Sequence, residues 1–221
     1  MTFFNQLREA CSDAQTHLRT APIISAALQG EVTRAQYIAF LTQAYHHVQH
    51  TVPLLMACGA RLPARLEWLR AAVAHYIDEE IGHHEWILDD IAAAGGNPAR
   101  VRHGTPAYAT ELMISYAYDT VTRHNPVGFF GMVYVLEGTS VLLATQVANA
   151  LQHALDLPQQ AFTYLTSHGS LDLQHIDDFE ALMNRLDDAA DQAAVIHRAR
   201  NFFRLYAEVI NTSHVNTIKC Q

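Results

Sequence analysis

Three groups of residues have the types and spacing to hold a metal. The first is His168, Asp172 and His175, within Ser167-His-Gly-Ser-Leu-Asp-Leu-Gln-His175. At about 100° per residue, offsets of four and seven bring all three within roughly 40° of one helical face. The second is Glu80-Ile-Gly-His83. Glu-x-x-His is the ligand pair that helical di-iron and di-manganese carboxylate proteins turn into the bundle interior. The third is Glu137, the one charged residue between Val127 and Val147. A carboxylate in such a helix needs a cation, a proton or a metal.

Each group has a plainer explanation. Asp172 and the two histidines can pair with one another on a helix surface. Glu137 can be half of a structural ion pair. The segment His75 to Glu85 is rich in acids and histidines, as a solvated face would be, and its register is open: Glu79 with His83, or Glu80 with His84, would also share a face. Taken together, the groups offer six carboxylate and imidazole ligands and no thiolate, the set that a hard-to-borderline redox metal takes. Two Fe(II) ions carry four positive charges, of which three carboxylates would neutralise three. Manganese accepts the same ligands. A further cluster, Tyr45-His-His-Val-Gln-His50, places His47 and His50 as candidates for substrate contact or an auxiliary role, and Glu79 joins them.

The elements that must position these residues read as helices throughout. Thr33-Arg-Ala-Gln36 is a capping box that opens a long helix, and Pro53 kinks or breaks it. Pro63 begins a helix that runs past Glu80 and His83 to Ile91, where Gly95-Gly-Asn-Pro98 stops it. Thr105-Pro106 caps the next. Val127 to Leu155 is apolar nearly all round, which puts it at the centre of the fold. Pro158 opens the helix with the His168 triad, and Asp191 to Val215 closes the chain. No segment combines strand alternation with hairpin turns. The expectation is one all-α domain over residues 1–221, a bundle of about seven helices.

Composition limits the functions. Half of the 221 residues are apolar and 16% are charged, which fits a globular chain with a full core. The formal charge is −8 and the one lysine is Lys219, which argues against nucleic acid as a partner. Cys11, Cys58 and Cys220 make neither a disulfide framework nor a zinc motif, so a reducing cytoplasm is the expected setting. The N-terminal residues lack a signal-peptide pattern. The most apolar run, Val127 to Leu136, is too short to span a bilayer, so no membrane role is expected.

The ordered set Glu-x-x-His, lone Glu in an apolar helix, then His-x3-Asp-x2-His resembles the haem-oxygenase-like di-iron oxidases, over nearly the whole chain. These share a superfamily with haem oxygenases, TenA-type thiaminases and the PQQ-synthesis oxidase. The resemblance implies a haem-oxygenase-like helical bundle and two Fe(II) ions that activate O2. On it, Glu80 and His83 would ligate one iron, Glu137 would lie between the irons, and His168, Asp172 and His175 would serve the other. The family's reactions are cleavage, desaturation or N-oxygenation of a small amino-acid-like or carboxylate substrate, and a homodimer is expected by analogy. Neighbouring branches fit less well. The central helix, Val133-Tyr-Val-Leu-Glu-Gly-Thr-Ser140, lacks the thiaminase cysteine. The self-sacrificing p-aminobenzoate synthases use a lysine near the site, and Lys219 is in the tail. A haem oxygenase needs a proximal histidine near the N-terminus, and His17 reads as a surface residue. Two alternatives stay open: a metal-free TenA-like or PQQ-synthase-like enzyme, and a non-catalytic helical binding module.

Overall fold

Among the described residues the apolar periodicity builds eleven α-helices, named here in chain order: α1 (Phe3–Arg19), α2 (Pro22–Leu28), α3 (Arg34–Val48), α4 (Thr51–Arg61), α5 (Glu67–Glu80), α6 (His83–Ala93), α7 (Pro98–Arg102), α8 (Tyr108–Arg123), α9 (Phe130–Leu155), α10 (Thr163–Asn184) and α11 (Ala189–Val215). The structure is a computed structural model. It describes the backbone of residues 1–215 and their side chains other than those of residues 168–175 and 213–215. Short 3₁₀ turns precede α5, α9 and α10. Among the described residues there is no strand.

The count exceeds seven partly because two expected helices are divided, and the short α7, where only a stop signal was expected, adds another. Pro53 does not kink a continuous helix. The chain breaks at Gln49–His50, and Pro53 falls in the first turn of α4. A proline ring clashes with the carbonyl four residues back, here Gln49, while in a first turn its missing N–H costs nothing. The helix expected from Pro63 to Ile91 is broken at Ile81–Gly82. Ile81 is extended and Gly82 takes φ +91°, a left-handed conformation natural to glycine.

Several helix starts follow from local chemistry. The Thr33–Gln36 capping box forms as expected: the Gln36 N–H donates to Thr33 Oγ1 (3.3 Å) and the Thr33 N–H to Gln36 Oε1 (2.9 Å). Two other starts are capped from a distance. Thr105-Pro106 does not cap α8. Instead Gln43 Oε1, from α3, accepts from the Ala107 N–H (2.9 Å) and the Thr110 hydroxyl (2.7 Å). Pro158 opens only a 3₁₀ turn. The start of α10 is held by Asp90 of α6, whose carboxylate accepts from the N–H groups of Thr163 (3.0 Å) and Tyr164 (2.8 Å).

As its composition predicts, α9 is central, packed along α10 and α11. Its crossing with α11 is close: a Cβ on Gly131 would stand 2.5 Å from the backbone nitrogen of Ala199. With its 3₁₀ lead-in, the continuous segment Pro126–Leu155 is longer than the apolar run read from the sequence. By length and composition it could cross a membrane, and half of its most apolar stretch is buried inside the protein. α3 packs on α6 and α11, and α4 packs on α5 and α8. This arrangement brings α3, α5, α9, α10 and α11 around one interior space.

Candidate metal centre

Glu80 is the last residue of α5 and His83 the first of α6. They do not share one helical face, as the spacing predicted. The bend at Gly82 brings them together instead, with Glu80 Oε2 3.1 Å from His83 Nδ1. Their side chains are 11% and 4% exposed. The His83 ring lies against Trp86, with centroids 4.1 Å apart, which fixes the orientation of the imidazole. Other acids and histidines of this segment turn outward. Glu79, 31% exposed, pairs with His75 (3.3 Å), and Glu85 pairs with His84 (3.3 Å) and Arg102 (2.8 Å). Of the registers left open by the sequence, the geometry joins Glu80 to His83.

Because the link depends on one left-handed residue, Gly82→Ala tests it. A Cβ there meets nothing within 4 Å, so the cost is conformational alone, about 1–2 kcal/mol. The expected outcome is a modest drop in the urea unfolding midpoint and, if His83 is a metal ligand, weaker metal binding from its displacement. Unchanged iron affinity would show that the bend does not set the pair.

Glu137 sits about a third of the way along α9, half-buried. It lines a cavity of ≈ 660 Å³, mouth included, together with Glu80, His47, Tyr76, Tyr164 and Tyr206. The cavity explains why α9 is only partly buried around Glu137 although its composition is that of a core helix. No lysine or arginine is among the described residues that line it. Two carboxylates therefore face a space whose described lining holds no lysine or arginine, a setting that a divalent metal would suit as counter-charge. Among the described residues no group of three or more His, Cys, Asp or Glu side chains is close enough to hold a metal by itself. His168, Asp172 and His175 are carried by α10, and their side chains lie outside the described residues.

The histidines at the α3–α4 junction separate. His47 is buried on the cavity wall, its ring edge-on to Tyr206 at 6.0 Å. His50 is not among the cavity-lining residues; its Nδ1 lies 3.0 Å from the Tyr118 hydroxyl on α8. Burial holds the His50 imidazole below its usual range, and burial followed by the neighbouring His50 does the same to His46. His17 is exposed on α1, as expected of a surface histidine. Cys11 and Cys58 are buried free thiols, pushed up to about 11 and about 12 by burial, so neither is a nucleophile near neutrality. The sequence reading missed Tyr164 and Tyr206 on the wall. Helix rotation decides these positions, and no sequence signal marks them.

The profile of a family described as "iron-containing redox enzyme" matches residues 38–207. No curated protein matches the chain. Among solved structures, a domain of unknown function with a haem-oxygenase-like fold from Shewanella denitrificans is 24% identical, with TM-score 0.86 over 99% of this chain and 94% of that one. A TenA homologue from Pseudomonas syringae is 12% identical, with TM-score 0.78 over 96% and 93%. A haem oxygenase from Synechocystis, solved with haem, is 14% identical, with TM-score 0.77 over 99% and 95%. At these identities the likeness shows the haem-oxygenase-like fold, the architecture the motif order implied.

Proposed function

The chain belongs to the family of iron-containing redox enzymes, and from that premise we propose that it is an O2-dependent non-haem di-iron oxidase of a small organic substrate. The observation that carries the reading is the buried Glu80–His83 pair, whose Glu80 lines the same cavity as Glu137. Glu80, His83 and Glu137, with His168, Asp172 and His175 from α10, would hold the metal. Bound Fe(II) would supply the electrons that reduce O2 and so the oxidising power for a C–H, C–C or N–H bond.

The chain's own residues set the conditions for that chemistry. Trp86 holds the His83 ring in place. Tyr76, Tyr164 and Tyr206, with Leu55, Met132 and Leu136, wall the site with mostly apolar surface, which limits water and strengthens the field of the carboxylates. Burial keeps the Tyr206 hydroxyl protonated, pushed up to about 12, so at neutral pH it can donate a hydrogen bond to a bound substrate. His47 shares the wall and can accept or release a proton there.

The test is anaerobic loading with Fe(II), removal of loose metal, and metal analysis, followed by O2 uptake with and without candidate substrates. About two irons per chain are expected, the stoichiometry of carboxylate-bridged helical sites. A protein that retains no iron under these conditions would return the reading to a metal-free enzyme or a binding module.

A further inference from the structure

A second cavity, ≈ 780 Å³ with its mouth included, lies between α2, α3, α9, α10 and α11. It shares Ser140, Tyr164 and Tyr206 with the cavity of Glu80 and Glu137, so the two spaces adjoin across a wall of three side chains. Its lining differs in kind. Ile23, Ile24, Leu143, Val147, Leu151 and Ile210 dominate, and no acidic, basic or histidine side chain is among the described lining residues. Two of its polar residues have their hydroxyls committed to backbone: Tyr37 donates to Ala161 O (2.7 Å) and Thr139 to Val135 O (2.6 Å). A polar occupant would lose its hydration there and regain little.

We propose that this second cavity holds a linear aliphatic tail of the substrate, while the head to be oxidised lies beside Glu80 and Glu137. The placement of the head rests on the reading of the first cavity as the iron site; the tail subsite rests on the lining of the second. Ala27 and Ala144 are the smallest side chains of its lining, and Ser140, Tyr164 and Tyr206, common to both cavities, mark where tail and head would meet. Chain length then sets affinity, and the head group sets what is oxidised.

The test measures binding of n-alkanoates from hexanoate to tetradecanoate, and of n-alkylamines of the same lengths, by calorimetry on iron-free and iron-loaded protein. In both series affinity rises about fourfold per methylene until the cavity is full. Ala144→Phe places a ring in the second cavity and flattens that dependence, while far-UV circular dichroism and iron content stay at wild-type values. Val147→Phe obstructs the same space from another position, should Ala144→Phe fold poorly. Affinity independent of chain length in the wild-type protein overturns the tail subsite whatever the iron content. Length dependence in a protein that loads no iron supports the tail subsite and overturns the iron reading instead.

Discussion

Glu137→Ala is expected to abolish stable iron loading while leaving the helical content intact. On the proposed reading the loss should exceed the roughly 10–100-fold that follows removal of a group merely hydrogen-bonded to a ligand, because Glu137 would itself be a ligand. The fold survives because Glu137 borders a cavity and is only half-buried, so its truncation enlarges an existing space without opening a packed core. Equilibrium dialysis with Fe(II) gives the affinity, and circular dichroism checks the fold. Thermal unfolding adds an independent reading. A metal at 100 times its dissociation constant stabilises the native state by about 2.7 kcal/mol, so Fe(II) raises the wild-type midpoint and leaves that of Glu137→Ala unmoved. Glu137→Asp keeps the charge on a shorter arm and should retain part of the binding. Full iron occupancy in Glu137→Ala would remove Glu137 from the ligand set and, with it, the two-metal assignment.

The sequence carried the ligand types further than the geometry that assembles them. Glu-x-x-His read as an i, i+3 pair on one helix, yet Glu80 and His83 meet across a helix break, through the left-handed Gly82. The pairing was therefore legible for a reason the structure replaces. Periodicity located α9 and its lone carboxylate, because a helix apolar on all sides has to be central. It did not reveal that cavities border the middle of that helix. His47 and His50 were equivalent by spacing, and only the rotation of α3 and its end at Val48 turn one toward the cavity and the other toward Tyr118. The capping box at Thr33 was readable because both partners lie within one turn. The starts of α8 and α10 were misplaced because their caps, Gln43 and Asp90, are 64 and 73 residues away in the chain.

That distant cap gives the other large effect, which ties the stability of the fold to the site. Asp90 is fully buried, and its two carboxylate oxygens satisfy two N–H groups at the start of α10, the helix that carries His168, Asp172, His175 and the wall residue Tyr164. Asp90→Ala leaves both donors buried without that partner, at about 1–3 kcal/mol for each group left unsatisfied. Urea unfolding should show the loss, and iron affinity should fall with it as the first turn of α10 loosens. Asp90→Asn keeps the shape and one acceptor, so its loss is smaller. The two variants also differ in pH dependence. Burial pushes the Asp90 carboxyl up to about 6, against the lowering effect of the Tyr164 and Thr163 N–H groups. A folded value above the unfolded one near 4 means that the native state holds the extra proton. The stability linked to this group is therefore full below about pH 4 and is lost as pH rises through about 6, a difference on the order of 3 kcal/mol. Other carboxylates impose their own slopes, so the relevant quantity is wild type minus Asp90→Asn in the iron-free protein. That difference should decline from pH 4 to pH 7. A difference that is flat, or that rises with pH, would mean that the two N–H bonds outweigh burial and that Asp90 caps α10 as an ordinary carboxylate.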